Sequence, residues 1–314
     1  MTDWLLLALV SLSVTAVLTC FRFTGCTLDF DSVGPQPAPE YGETIKAEAI
    51  AYWRLGEPAR TGPGDQAKDE KGANHGEYRS TALVAGVQSP ATATPPVLQA
   101  GQPGLLAAAP SQTSVRVDGG HVSVPFSAVL NPPADAQFSV EAWVHPEWDA
   151  GEPDLFRCVV ASREDTGAQK HGYILYAGPV LDPTTFVTTD PSQRWQAWVG
   201  DGTTWRMLVG SPVEVGQTTY LLLTYERATQ TLTLDAIVNP CPETSPPPRL
   251  SMVAVYSPNP DKPLYIGMGA TEIVVPPGQP LYPFLGRLQE IAFYDAALDA
   301  DKASAHAAAG GNID

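Results

Sequence analysis

Beyond residue 45 the apolar positions fall in short runs that alternate with polar ones. Phe138-Ser-Val-Glu-Ala-Trp-Val-His145 keeps a period of two, and so do Gly172–Tyr176, Trp195–Val199, Tyr220–Tyr225 and Thr231–Val238. That period sends one side of each segment toward a core, so these five are predicted strands. Gly200-Asp-Gly202 supplies a turn after one of them. In Ala51–Glu57, Trp53 and Leu55 fall on one face, with Tyr52 and Arg54 on the other. One short helix is predicted at Ala300–Ala309, stopped by Gly310-Gly311. The Pro-rich stretches Ser89–Pro110, Pro240–Arg249 and Pro276–Pro283 are expected as surface loops. Short strands, frequent turns and no internal repeat predict an all-β sandwich of roughly 200–250 residues in one domain.

The N-terminus follows another pattern. From Trp4 to Phe21, 18 residues run without a charge. That length meets the lower limit for a membrane-spanning helix and is long for a signal-peptide core. Asp3 precedes the run, Arg22 follows it, and no Ala-x-Ala site is present. Residues 1–26 are therefore read as an N-terminal hydrophobic helix acting as anchor or signal segment. An apolar peg packed in a larger assembly is the alternative. The charge order favours an uncleaved helix whose C-terminal side faces the cytoplasm. Cys20 and Cys26 each match a lipidation signal in part. Residues 27–44, acidic and Pro-rich, read as an extended spacer ahead of a domain at 45–310, and 311–314 as a short tail.

Composition narrows the function. The chain carries 34 acidic and 18 basic side chains, a formal charge of −16, which argues against a sequence-independent nucleic-acid binder. Its 31 Pro and 27 Gly fit a turn-rich fold, while 44% hydrophobic residues exclude wholesale disorder. The five histidines show no metal spacing, and neither a Gly-x-Ser-x-Gly elbow nor a phosphate-binding loop occurs. A Cys158–Cys241 disulfide would place the chain in an oxidising compartment; one buried and one exposed thiol is the equal alternative.

Several motifs fall in a familiar order. Ala51-Tyr-Trp-Arg-Leu-Gly-Glu57, then Asp69…Gly72…His75-Gly-Glu-Tyr78, precede the strand Phe138–Pro146; Leu264-Tyr-Ile-Gly267 and Phe284-Leu-Gly-Arg-Leu-Gln-Glu-Ile-Ala-Phe-Tyr-Asp295 close the series. Together they resemble concanavalin A-like, LamG-type jelly-roll domains over about Ile45 to Gly310. The resemblance implies a two-sheet antiparallel jelly roll used for recognition. It also implies calcium held by oxygen ligands near the rim, with Asp69, Asp201 and Gln289 as candidates; Gln289 stands where relatives often carry a carboxylate. Glucanases of that fold use a Glu-x-Asp-x-x-Glu strand. Here Glu141-Ala-Trp-Val-His145 offers a single carboxylate, so no catalysis is expected. Trp143 and His145 share a face with Glu141, and Trp198 shares one with Gln196. With Tyr176 they are the candidate ligand groove, packing being their alternative role. The expected function is a non-catalytic recognition or adhesion domain for glycan or a surface protein, tethered at a cell surface. The alternative is a decoration subunit of a phage, tail-like particle or surface filament. A homo-oligomer fits both.

Overall fold

A computed structural model of the chain describes residues 41–80, 97–149, 156–239, 249–269 and 282–311. The expected N-terminal helix, Cys20, Cys26 and Cys241 lie outside the described residues. The described chain begins with helix α1 (Tyr41–Glu48) and ends with helix α2 (Ala300–Gly310). Between them run β1 (Ala51–Trp53), β2 (Gln66–Ala67), β3 (Gly76–Ser80), β4 (Val97–Pro103), β5 (Thr113–Asp118), β6 (Gly120–Val124), β7 (Phe138–Pro146) and β8 (Arg157–Asp165). There follow β9 (Lys170–Leu181), β10 (Thr188–Gly200), β11 (Trp205–Pro212), β12 (Thr218–Glu226), β13 (Thr231–Asn239), β14 (Leu250–Val253), β15 (Leu264–Ile266) and β16 (Leu285–Tyr294).

The strands form two antiparallel sheets. The first has the order β14–β13–β12–β7–β16–β5–β4, with β1 also on β16; the second runs β11–β10–β9–β8–β15–β6–β3–β2. This is the all-β, two-sheet sandwich that the alternating pattern predicts. Phe138, Val140, Ala142 and Val144 of β7 point into the space between the sheets, where they meet Trp195, Ala197 and Val199 of β10, with Trp53 and Leu55. Phe138 sits at the centre, its ring within 5.9 Å of those of Tyr173, Tyr225, Tyr256 and Phe293. Such ring pairs add to the burial of apolar area.

The outer face of the first sheet is also buried. Tyr41 and Ile45 of α1 and Ala303 and Ala307 of α2 cover Tyr52, Trp143, Tyr220 and Tyr294. Alanines and Gly310 let α2 lie close: a Cβ at Gly310 would come within 2.4 Å of the Trp143 ring. Asp299 caps this helix by accepting from the Lys302 amide at 2.8 Å. Under the helices lies Glu141, fully buried. It accepts from the Tyr41 hydroxyl at 3.0 Å and the Tyr220 hydroxyl at 2.9 Å, and its Oε2 lies 2.8 Å from His306 Nδ1. Burial lowers the proton affinity of His306, but the bond to Glu141 and the charges of Glu141 and Glu48 outweigh it and raise its pKa.

Two boundaries differ from the sequence reading. Tyr41–Thr44 would belong to the spacer, yet Tyr41 starts α1, because Tyr41 and Ile45 lie one turn apart and share a buried face. The stretch Ser89–Pro110 is not all loop: Val97–Pro103 is the edge strand β4, bulged between Gln99 and Gln102. The predicted terminal helix and the turn at Gly200–Gly202 form where expected. Among the described residues no helix is long and apolar enough to cross a membrane.

Replacing Glu141 by Ala leaves two hydroxyls and an imidazole without their acceptor under the helices. We expect a loss of about 3 kcal/mol or more in urea-unfolding free energy, with α1 and α2 losing amide-exchange protection first.

Candidate functional site

The four aromatic and imidazole candidates are not brought together. Trp143 lies on the outer face of the first sheet, whereas Tyr176 and Trp198 lie on the outer face of the second. Trp143 is fully buried; its Nε1 donates to the Tyr41 hydroxyl at 2.8 Å, and its ring meets Tyr41 and Tyr220. His145 stands beside it, half-buried, with Nδ1 3.1 Å from Thr218 Oγ1. Burial, helped by Arg287, holds the His145 pKa below its usual value. Tyr176 and Trp198 are also buried, in a cluster with Phe156, Trp205 and Tyr282. Trp198 Nε1 donates to Gln196 Oε1 at 2.9 Å, and the Gln196 amide donates to the Gly178 and Pro179 carbonyls. Arg163 donates to the Tyr176 hydroxyl and lies 5.2 Å above the Trp205 ring. The expected groove is therefore corrected to two separate packed clusters. Alternation along a strand reveals which residues share a face, but not which sheet the strand joins.

The calcium candidates are engaged elsewhere. Asp69 is buried, and its Oδ1 accepts from the Tyr52 and Lys71 amides at 2.9 Å, its Oδ2 from Ala73 at 3.1 Å and Asn74 at 2.8 Å. Four amide donors fill the carboxylate and tie the Asp69–Asn74 loop to β1. Asp201 serves the turn before β11 in the same way, accepting from the Thr203 and Thr204 amides and pairing with Arg206. Gln289 Oε1 accepts from the Leu105 amide at 2.6 Å. Each of the three holds its own stretch of backbone, so this donor set does not fit the calcium that the resemblance implies. Among the described residues no group of three or more His, Cys, Asp or Glu side chains is placed to hold a metal ion. Cys158 is a buried thiol whose pKa burial pushes far up.

Clefts lined by described residues include the following two. One, of about 380 Å³, sits where β16 changes partner: Leu285–Leu288 pair with β5, and Ile291–Phe293 pair with β1. Its floor is the bulge residue Glu290, which takes a left-handed backbone (φ 55°). The Glu290 carboxyl accepts from the Tyr52 hydroxyl and from Gln289 Nε2, and Arg54 Nε lies 3.6 Å away. Burial pushes its pKa from the usual 4.5 up to about 7, against the hydrogen bond from Tyr52 and the charge of Arg54. None of the described aromatic rings lines this cleft, and Glu290 is bonded within its wall.

The other cleft, of about 530 Å³, lies on the outer face of the second sheet. Gln66, Glu77, Arg79, Ser123 and Tyr265 point into it from β2, β3, β6 and β15, with His75 at the rim. Cross-strand register brings them together: Glu77 opposes Ser123, and Ser123 opposes Tyr265. His75 Nδ1 accepts from the Asp69 amide at 3.0 Å. His121 opposes Arg79 and meets the Tyr265 ring edge-on at 5.8 Å. Its Nδ1 is buried with no hydrogen-bond partner among the described residues. Burial, reinforced by Arg79, pulls the His121 pKa down to about 4 despite a hydrogen bond that its ring donates to the Gly119 backbone. Sequence reading missed this site. Its residues come from four short strands, none longer than five residues, whose adjacency is set only by pairing.

The sequence profile described as the concanavalin A-like lectin/glucanases superfamily matches residues 118–304, more than half of the chain. The chain belongs to that superfamily. No curated protein matches its sequence. Among solved structures it is similar to the binding domain of Paraclostridial Mosquitocidal Protein 1, with TM-score 0.48 and 12% identity over 84% of this chain and 52% of that one. It thus spans about half the length of that chain. It is also similar to the heptameric SAP-like pentraxin from Limulus polyphemus (TM-score 0.39, 14% identity, 59% and 75% covered). A third is the IT-sialidase CBM40 of Ruminococcus gnavus bound to alpha2,3 sialyllactose (TM-score 0.38, 14% identity, 56% and 83% covered). This superfamily domain is a lectin-like jelly roll, as its motif order suggests.

Two outcomes follow. Trp143→Ala should cost about 3–5 kcal/mol in denaturant unfolding, as expected when a large ring leaves a packed site. Glu290 holds its proton more tightly when folded than unfolded, so its contribution is full below pH 4.5 and is lost as pH rises toward 7. Glu290→Gln should therefore gain on the wild type over that interval in paired thermal melts, and the difference should level off above it.

Proposed function

We propose that this chain is a non-catalytic recognition domain that binds glycan on the outer face of its second sheet, displayed at a surface through its apolar N-terminal run. The cleft at Tyr265 carries the reading. A part-exposed aromatic ring stands there among an amide, a guanidinium, a carboxylate, an imidazole and a hydroxyl, all mounted on or beside paired strands. A sugar ring offers an apolar face to stack and hydroxyls that both donate and accept, and this set answers both needs. Strand-mounted side chains hold their geometry better than loop-mounted ones. Membership of a lectin-containing superfamily agrees with this use, although fold alone assigns no function. Glu141 and Glu290, two buried acids of the first sheet, are committed to Tyr and His partners or to the wall of a cleft without an aromatic platform. This supports recognition rather than glycoside cleavage. The uncharged stretch Trp4–Phe21 supports tethering.

A glycan array probed with the full chain in detergent should return a discrete set of binders. Tyr265→Ala should weaken the best of them at least tenfold by calorimetry, with the melting temperature within a few degrees of wild type. A folded protein that binds nothing on the array would overturn the reading.

A further inference from the structure

The charges around this cleft say which glycans it takes. Resting on the glycan-binding reading, we propose that the site selects uncharged sugars and rejects acidic ones, with Glu77 as the residue that determines this.

Among the described residues Arg79 is the one cation lining the cleft, and by itself it would draw the carboxylate of a sialic or uronic acid, or a sulfate. It is not left to itself. Glu77, two residues earlier on the same face of β3, accepts from Arg79 Nη2 at 3.0 Å. Both side chains are about half exposed, at 47% and 55%, so this pair does little for stability. What it does is cancel the guanidinium charge at the mouth of the site. The neighbouring His121 adds none: burial pulls its pKa down to about 4, so it stays neutral through the physiological range. Tyr265, its pKa raised by burial, keeps its proton as well.

The cleft thus carries the paired Arg79 and Glu77, in a chain whose formal charge is −16. An anionic ligand gains nothing from the paired arginine and is repelled by Glu77 and by the surrounding field. A neutral sugar meets donors and acceptors of both kinds and no such cost. The placement of Glu77 is a repulsive device against acidic competitors.

The test uses glycan pairs sharing one neutral core, with and without a terminal sialic acid, uronic acid or sulfate, measured on the full chain and on Glu77→Gln. In the wild type the neutral member of each bound pair should bind at least tenfold more tightly. In Glu77→Gln the released Arg79 should narrow that gap at least threefold, the acidic member gaining on its neutral partner. Arg79→Gln in the same background should restore the gap, which a change in folding would not do. Acidic members binding as well as neutral ones in the wild type, or a gap unmoved by Glu77→Gln, would overturn the proposal. Absence of binding to either member of every pair would instead overturn the glycan reading beneath it.

Discussion

A carboxylate removed from water must be matched by donors, and Glu141 is matched by groups from three different elements. Tyr41 comes from α1, Tyr220 from β12 and His306 from α2. Both helices are thereby fastened to the middle of the first sheet, although they stand at opposite ends of the described chain. Their apolar sides seal Tyr52, Trp143 and Tyr294 beneath them. The arrangement is costly to break in part, because any one missing partner leaves buried polar groups unpaired.

That fastening decides which face of the sandwich can meet a ligand. A two-sheet protein has two outer faces, and here the helices occupy one of them. The outer face of the second sheet divides along its width. Toward β9, β10 and β11, Phe156 and Tyr282 close over Tyr176, Trp198 and Trp205. Toward β2, β3, β6 and β15, the outward side chains are polar and the surface is open. The proposed recognition site lies in the open half, where water-accessible polar groups flank an aromatic ring. The closed half uses its polar atoms internally, down to the Trp198 indole and the Gln196 amide.

The acidic loop residues make a related point. Asp69 and Asp201 look like ligands for a hard cation when read as isolated carboxylates. Folded, each is the organiser of a turn: amide N–H groups of the next few residues converge on it and fill its lone pairs. A carboxylate used this way pins its loop, and for Asp69 it also pins that loop to β1 through the Tyr52 amide.

The alternation of Phe138–His145 or Trp195–Val199 by itself determined strand and which residues share a face, because side-chain direction along a strand follows from a two-residue period alone; that both faces are buried was decided by the tertiary structure. The order of the motifs was enough for the family. Short strands such as β2, β3 and β15 carry too few residues to show a period, and β4 was hidden among prolines. Tertiary structure alone decided that Trp143 and Trp198 belong to opposite sheets and that Tyr41 is the foot of a helix. It also decided that Glu77, Arg79 and Tyr265 share one cleft. Glu77 and Tyr265 lie far apart in the chain and meet only because β6 pairs with both of their strands across Ser123. No local pattern encodes which distant strand will supply the next hydrogen-bonded edge.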